Sequence, residues 1–309
     1  MQNILLDYFF PITQIEPTAQ ASTAFLKQVC VVVNPKDGVT IDVPTLCVTS
    51  AEIAALTDND EAEQILNAGH SRVWILPSAD LDLATVLATH GQNFYTLLIS
   101  DDFTDTNVDG ADFGTFGGVI GRSSTTQSWA KTFATAPKRA AFYEAGSNAK
   151  NMIYAFGKLL SNALAWRNQQ YVTMPESDAV VALGTANSLF DDKVSFVLDD
   201  AQYGSRLGLF AAGGKAIAAP YIEKDLEIQI QSAALSYISG NQPAYDLKNA
   251  GLLEDELQKV VDSFVDAGYI QDGKIEIKLE QDNFVASGYI NIAEPKALWR
   301  VFGEMKQTL

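Results

Sequence analysis

The residues that could carry chemistry are few, and their spacing forms no known catalytic or metal-binding motif. The two histidines, His70 and His90, fall at predicted helix ends, where the helix dipole and the last carbonyl groups favour an imidazole. Neither has the spacing of a zinc motif. Cys30 and Cys47 lie in apolar, strand-like segments, which is typical of small buried thiols in a reducing compartment. The sequence therefore predicts no metal site and no cofactor.

A glycine-rich stretch, Gly204–Lys215, has part of the spacing of a phosphate-binding loop. Gly208 and Gly213 match the glycines of a P-loop, but Gly214 stands where the lysine should be. The lysine comes one position late, and the next residue, Ala216, offers no hydroxyl for magnesium. We interpret the stretch as ordinary turns, because glycine is the usual punctuation of loops.

Adjacent acids recur along the chain, as in Asp101-Asp102, Asp191-Asp192 and Asp199-Asp200. The first pair follows a predicted strand, which is where α/β enzymes bind their ligands. No lysine or histidine is spaced to partner it, and Ser100 lacks the glycines of a nucleophile elbow. The sequence therefore predicts a protein that is not an enzyme. The alternative is an α/β enzyme with a site at the strand ends near Ser100–Asp102.

Composition indicates a globular chain with an acidic surface. The 309 residues are 47% hydrophobic and 19% charged, enough for one or two domains with a sizeable core. The net charge of −17 repels phosphate backbones and anionic lipid, so we expect no nucleic-acid or membrane partner. No apolar run reaches the roughly 18 residues that a membrane helix needs, and the N-terminus does not resemble a signal peptide.

Apolar segments alternate with helical patterns from residue 24 onward. This alternation is typical of an α/β fold with a mostly parallel sheet. Ser50 is predicted to cap a short helix, and the most regular helical pattern covers residues 147–166, with Ser147 as its cap. The predicted strands of the body are Val29–Val33, Pro44–Thr49, Arg72–Leu76, Phe94–Ile99, Val119–Ile120, Ala140–Tyr143 and Val194–Leu198.

The pattern changes near residue 271. Lys274–Leu279 alternates apolar and charged residues, as a half-buried antiparallel strand does, and Asn283–Ile292 reads as a second strand. Gln281–Asn283 is suited to the turn between them. The predicted fold class is therefore α/β (α+β): a mixed sheet with flanking helices, a C-terminal β-hairpin, and extended N- and C-terminal arms.

Both ends of the chain look detached from this body. Ile4–Phe10 is an apolar, β-prone segment followed by Pro11 and Pro17, and an exposed strand of this kind needs a pairing partner. The predicted organisation is an N-terminal arm at 1–20, a body at 21–270 with an optional sub-boundary near 120–145, a hairpin at 271–292 and a C-terminal arm at 293–309.

One stretch of the body is locally basic. Lys131, Lys138 and Arg139 lie close together, and Arg122 precedes them. We expect these four residues to form either solvated ends of elements or an electrostatic contact patch that steers an acidic neighbour.

This layout resembles a contractile-tail sheath protein of a bacteriophage, of a small, minimal type. The resemblance covers most of the chain: an apolar strand on a tether, a mixed α/β body, and C-terminal helices followed by strands and a tail. Three segments are similar to parts of sheath-like phage proteins: Ala136–Tyr143, Phe94–Ile99 with Asp101-Asp102, and Gly288–Ile292. The chain is short for that family, whose members usually carry extra outward domains.

The resemblance implies a subunit that stacks as hexameric rings around a tail tube and contracts. Its partners would be copies of itself, the tail tube protein, and baseplate and tail terminator proteins, in a virion whose tail assembles in the host cytoplasm. Its arms would donate strands to neighbouring subunits. The implied donor residues are Ile4, Leu5, Leu6, Tyr8, Phe9, Phe10, Leu298, Trp299, Val301 and Phe302, and the implied acceptor residues are Ile275, Ile277, Leu279, Tyr289, Ile290 and Ile292.

Two alternatives stay open beside the enzyme hypothesis. The arms can pack on their own body instead of a neighbour, as ordered termini often do. The chain can also be another structural component of a phage tail or baseplate.

Overall fold

The computed structural model describes residues 23–40, 43–144, 149–161, 181–200, 204–208, 211–241, 246–280 and 285–293. The strands are β1 Val29–Val33, β2 Thr45–Cys47, β3 Val73–Pro77, β4 Thr96–Ile99, β5 Val119–Ser124, β6 Arg139–Tyr143, β7 Ser195–Asp200, β8 Gly204–Gly208, β9 Ala211–Ala212, β10 Lys215–Ala216, β11 Asp272–Glu280 and β12 Val285–Ala293. The helices are α1 Ser50–Leu56, α2 Glu63–Asn67, α3 Ala84–His90, α4 Asp105–Asp109, α5 Gln127–Thr135, α6 Lys150–Ser161, α7 Leu183–Asp191, α8 Ala218–Asn241 and α9 Leu247–Asp266.

The body is built on one mixed sheet, which confirms the predicted fold class. Within the described residues its order is β2-β3-β1-β4-β5-β6-β7-β8. Strands β1 and β3 to β7 run parallel, while the two edge strands, β2 and β8, are antiparallel to their neighbours. Strands β5 and β6, where the optional sub-boundary was placed, are central in this sheet. After β1 the chain forms β2 and β3 on one side of β1, and it then crosses to form β4 on the other side. The strand order therefore reverses between β1 and β4.

Strand β1 shows how the sequence fills both faces of the sheet. All five of its residues are buried. Val29, Val31 and Val33 join the large core beneath α6 and α8, while Cys30 and Val32 join a second core on the opposite face. Side chains alternate across a strand, so a strand covered on both faces must be apolar throughout. The prediction of buried thiols is confirmed for Cys30 and Cys47.

Helix starts are decided by hydrogen bonds that the sequence pattern left ambiguous. Thr49, not Ser50, caps α1: its hydroxyl accepts from the Glu52 N–H, while the Glu52 carboxylate accepts from the Thr49 N–H. This reciprocal pair is a capping box, and it needs the Thr–x–x–Glu spacing that only Thr49 provides. The predicted cap of α6, Ser147, lies outside the described residues.

Helix α8 joins the body to the C-terminal hairpin. Its first two-thirds are buried on nearly all sides. Two hydrogen bonds tie this part to the start of β4: the Tyr95 hydroxyl donates to the Pro220 carbonyl at 2.9 Å, and the Tyr221 and Thr96 hydroxyls lie 2.6 Å apart. The far end of α8 is exposed and runs beside α9. No helix among the described residues is long and apolar enough to cross a membrane.

Candidate functional site

The predicted C-terminal hairpin is present and packs on α9. Strands β11 and β12 pair antiparallel from Asp272↔Ala293 to Glu280↔Val285. The predicted turn, Gln281–Asn283, lies outside the described residues. Because β11 and β12 form a separate two-stranded sheet in the described part of the chain, they do not extend the body sheet. A two-stranded sheet alone is only marginally stable in water, so its packing on a helix is essential.

The apolar side chains of β11 point at α9. Ile275 is 3% exposed, and Ile277 and Leu279 are half-buried. Ile275 and Ile277 belong to the same core as Leu253 and Leu257 of α9. Of the three predicted acceptor residues on β11, Ile275 and Ile277 therefore hold the hairpin on its helix. The other three, Tyr289, Ile290 and Ile292, lie in β12, where the backbone alone is described.

Helix α9 also reaches the backbone of β11. The Gln258 side chain accepts a hydrogen bond from the Ile275 N–H at 3.0 Å and donates one to the Gly273 carbonyl at 3.0 Å. The Glu254 carboxylate accepts from the Ile277 N–H at 2.9 Å. These two residues are four apart and share one face of α9. The sequence carries no signal for this role, because polar residues on an amphipathic helix normally face water.

The predicted arms lie outside the described residues. This applies to the N-terminal donor segment and to the C-terminal one, so their docking stays a prediction. The residues concerned are Ile4, Leu5, Leu6, Tyr8, Phe9, Phe10, Leu298, Trp299, Val301 and Phe302.

The predicted basic patch does not form as a set of four exposed cations. Arg122 is 5% exposed, and its guanidinium donates to the Phe103 carbonyl and lies 3.8 Å from Asp105. Its assignment to a surface patch is wrong, because β5 is a central strand whose end is covered. Arg139 is half-buried and lies over the Phe113 ring at 4.8 Å. Lys131, 56% exposed, forms an ion pair with Asp192, the C-cap residue of α7.

Lys138 completes the basic set and lies directly before the first residue of β6, a central strand. Its ammonium donates to the Gly117 carbonyl, and its backbone φ is 56°. The contact role proposed for Lys131, Lys138 and Arg139 stays a prediction.

A polar cavity of about 510 Å³ opens where the strand order reverses. It lies at the carboxyl ends of β1 and β4, the place where open α/β sheets bind ligands. Its lining contains Asp101 and Asp102, as the enzyme hypothesis expected. Both are engaged: the Asp102 carboxylate accepts from the Asn34 N–H at 2.7 Å, and the Asp101 N–H donates to Glu61 at 3.2 Å. Within the described residues, no group of three or more His, Cys, Asp or Glu side chains is arranged to hold a metal ion.

Two buried glutamates hold the start of α6 against the sheet. Glu61 accepts from the Ala149 N–H at 3.2 Å, and Glu144 accepts from the Met152 N–H at 3.3 Å and the Ser123 hydroxyl at 2.8 Å. Burial raises the pKa of Glu144 to about 8 against these hydrogen bonds, which lower it. Burial, with the hydrogen bond and charge of Asp101, raises the pKa of Glu61 to about 9.

The buried glutamates make the stability depend on pH. An unfolded glutamate loses its proton near pH 4.3, whereas Glu144 keeps its proton in the folded state up to about pH 8. Its stabilising contribution is therefore complete below about pH 4.3 and declines as pH rises toward 8. We expect urea unfolding to give a free energy of unfolding that falls between pH 5 and 8, with at most about 1.4 kcal/mol per pH unit from this group.

The matched variant is Glu144→Gln, whose neutral amide cannot release a proton. The decline with pH is expected to be shallower in this variant than in the wild type, whatever its absolute stability. Equal slopes for the two proteins would show that Glu144 is ionised in the folded state.

Sequence reasoning missed these buried carboxyls. Glu144 follows β6 directly, in the same way that Asp101 follows Ser100 at the end of β4. An acidic residue directly after a buried strand was the signal in the sequence that could have identified Glu144. His70 was predicted to interact with the last carbonyl groups of its own helix. Its Nε2 instead lies 2.7 Å from the Gly157 carbonyl of α6, so it does not cap its own helix. Burial lowers the pKa of His70. In each case the partner comes from a distant element.

Comparison with known proteins places the fold. The sequence matches no protein-family model and no curated protein. Solved structures do match. A chain of the anti-feeding prophage baseplate has 10% identity and a TM-score of 0.67, over 94% of this chain and 95% of that one.

Two further solved structures are sheath proteins by description. The anti-feeding prophage helical sheath in its contracted state has 12% identity and a TM-score of 0.64, over 97% of this chain and 99% of that one. A sheath tail protein from Desulfitobacterium hafniense has 6% identity and a TM-score of 0.56, over 90% and 98%. At these identities the likeness establishes the fold: the chain has the α/β fold of contractile-tail sheath proteins over nearly its whole length.

Proposed function

We propose that this chain is a structural subunit of a contractile tail sheath that polymerises as stacked hexameric rings around a tube. The observation that carries the proposal is the likeness to a contracted helical sheath over 97% of this chain and 99% of that one. Coverage of nearly all of both chains means that the two subunits are of similar length. The tail tube, baseplate and terminator proteins would be its other partners, in a phage tail assembled in the host cytoplasm.

The hairpin supports strand exchange as the means of polymerisation. In the described part of the chain it forms a sheet separate from the body sheet and is anchored on α9. Strand addition supplies affinity through main-chain hydrogen bonds, so the donor needs little side-chain specificity. Ile4–Phe10 and Leu298–Met305 would be the donors, and β11 and β12 the acceptor sheet.

Contraction would follow from two packings of the same subunit. The described body is built around one sheet, whereas the proposed joints are the arm segments 1–20 and 293–309, so bodies would slide while the joints hold. A modest free-energy difference per subunit suffices, because every copy in the lattice contributes. This mechanism requires no cofactor.

Two other functions each have an observation in their favour. A baseplate component is favoured by the likeness to a chain of the anti-feeding prophage baseplate. A ligand-binding or enzymatic role is favoured by the cavity at the strand ends beside Asp101 and Asp102. The cavity lining includes Lys150, which forms an ion pair with Asp60 at 2.7 Å, and among the described residues that line it there is no serine, cysteine or histidine nucleophile.

Electron microscopy of the purified full chain tests the proposal. Tubes or stacked rings are the expected result over a range of concentration and salt. A baseplate component would instead give single rings that do not stack. A protein that stays monomeric in all conditions would contradict the sheath proposal and favour the ligand-binding one.

A further inference from the structure

The outer edge of β11 is already occupied. Gly273, Ile275 and Ile277 alternate along this strand, and their backbone groups bond to Gln258 and Glu254 of α9. Successive residues of a strand point their backbone groups to opposite edges, so these three share the edge that faces away from β12. They are the groups that a strand added to β11 would use.

Gln258 is held in the orientation that occupies this edge. Its amide donates to the Asp262 carboxylate at 2.8 Å as well as to the Gly273 carbonyl, while its oxygen accepts from the Ile275 N–H. A flipped amide would lose all three bonds. Gln258 and Glu254 together bond to the backbone groups of β11 that a neighbouring strand would otherwise use. Covering an edge in this way prevents pairing with an added strand.

The outer edge of β12 is built differently. The register pairs Gly273 with Ile292, Ile275 with Ile290 and Ile277 with Gly288. In an antiparallel ladder, two opposite residues either bond to each other or both direct their backbone groups outward. Gly288, Ile290 and Ile292 therefore present their N–H and C=O groups on the outer edge of β12. In the described part of the chain, β11 is the strand that pairs with β12.

We infer that strand exchange is one-sided: the β12 edge accepts the incoming strand, and Glu254 and Gln258 close the β11 edge against it. The inference rests on the proposed function and assigns its acceptor. The occupant is Ile4–Phe10 of a second copy. That segment is apolar apart from Asp7 and free of proline, and residues 11–22 connect it to the first described residue, Thr23. At about 3.3 Å per residue this tether reaches about 40 Å, enough to cross to a neighbour.

Gly288→Pro is the direct test, because proline removes the outward N–H in the middle of the β12 edge. Gly288 does not use that N–H to pair with β11, so the hairpin keeps its own ladder. We expect sedimenting polymer to fall by about tenfold or more, since the lost hydrogen bond recurs in every subunit of the lattice. Gly288→Ala keeps the N–H and is the matched control, expected to polymerise like the wild type.

Hydrogen exchange of the full chain provides a readout that does not depend on the proline variant. In dilute, unassembled protein the Ile275 and Ile277 amides are expected to be protected already, and those of Gly288, Ile290 and Ile292 to become protected on assembly. Glu254→Met with Gln258→Met should speed exchange at Ile275 and Ile277 and leave polymerisation intact.

The outcomes separate the inference from the function beneath it. A wild-type chain that never assembles overturns both. A wild type that assembles, with Gly288→Pro assembling equally well and the β12 amides still exchanging freely, overturns the one-sided acceptor alone. If removal of residues 298–309, and not of residues 1–16, abolishes protection of the β12 amides, the occupant is the C-terminal arm and the assignment to Ile4–Phe10 is wrong.

Discussion

Deletion of residues 1–16 is expected to abolish polymerisation while leaving the body folded. The deletion removes Ile4–Phe10, the segment with the apolar, β-prone character of a donated strand. The described core begins later, at Phe25 and Leu26, which are 3% and 0% exposed. Each truncated subunit would lack the strand that joins it to a neighbour. Because this contact is repeated at every subunit, the lattice cannot grow without it.

Electron microscopy and sedimentation velocity measure this effect, and circular dichroism measures folding. The truncated protein is expected to sediment as a monomer with a thermal midpoint close to that of the unassembled wild type. Phe9→Pro is a matched single-residue variant, because it removes one N–H and one apolar side chain from the same strand. Tubes formed by the truncated protein would falsify the role of the N-terminal arm.

Lys224→Met is expected to be among the most destabilising single substitutions in the body. Lys224 forms an ion pair with Glu227 one turn later on α8, at 2.7 and 2.8 Å to the two carboxylate oxygens. Their side chains are 3% and 2% exposed. The variant leaves a buried carboxylate without the ammonium that compensates its charge, which costs about 3–5 kcal/mol. Domains are typically stable by only about 5–15 kcal/mol, so the effect is a large part of the total.

Two control variants separate buried charge from packing. The double variant Lys224→Met, Glu227→Leu removes both charges and is expected to recover most of the loss, because apolar residues of similar volume often replace a buried pair without cost. Lys259→Met breaks a pair of the same spacing on α9, with Glu256, where the side chains are 70% and 44% exposed. That variant is expected to change little, since solvent screens exposed pairs. Urea unfolding gives all the comparisons, and a Lys224→Met protein as stable as wild type would contradict the argument.

The position of this ion pair bears on how a subunit would transmit force. Helix α8 begins in the body, where Tyr95 and Thr96 secure it, and ends beside α9, which carries the hairpin. The pair lies in the buried part of α8. The hairpin is therefore joined to the sheet through a helix fixed in the core, so a strand held by a neighbour would pull on the whole body.

The periodicity of the sequence by itself determined the class of fold and most of its strands. Val29–Val33 was predicted as a buried strand because an apolar run of five residues is long enough for a strand covered on both faces. Lys274–Leu279 was predicted as half-buried because its apolar residues alternate with charged ones. Such patterns indicate which side chains of a segment are buried, and the buried faces are the ones through which strands and helices pack together.

Tertiary structure alone decided which side chains meet. Arg122 was assigned to a basic patch and Glu144 was missed in the sequence, yet both are buried because the ends of the central strands are covered by α4 and α6. Glu254 and Gln258 read as the polar face of a helix, yet they bond to the backbone of β11. The pattern of apolar and polar residues indicates which face of an element is buried. Hydrogen bonds between distant elements depend instead on which segments the fold brings together. The sequence therefore predicted the hairpin, and the structure distinguished its two edges.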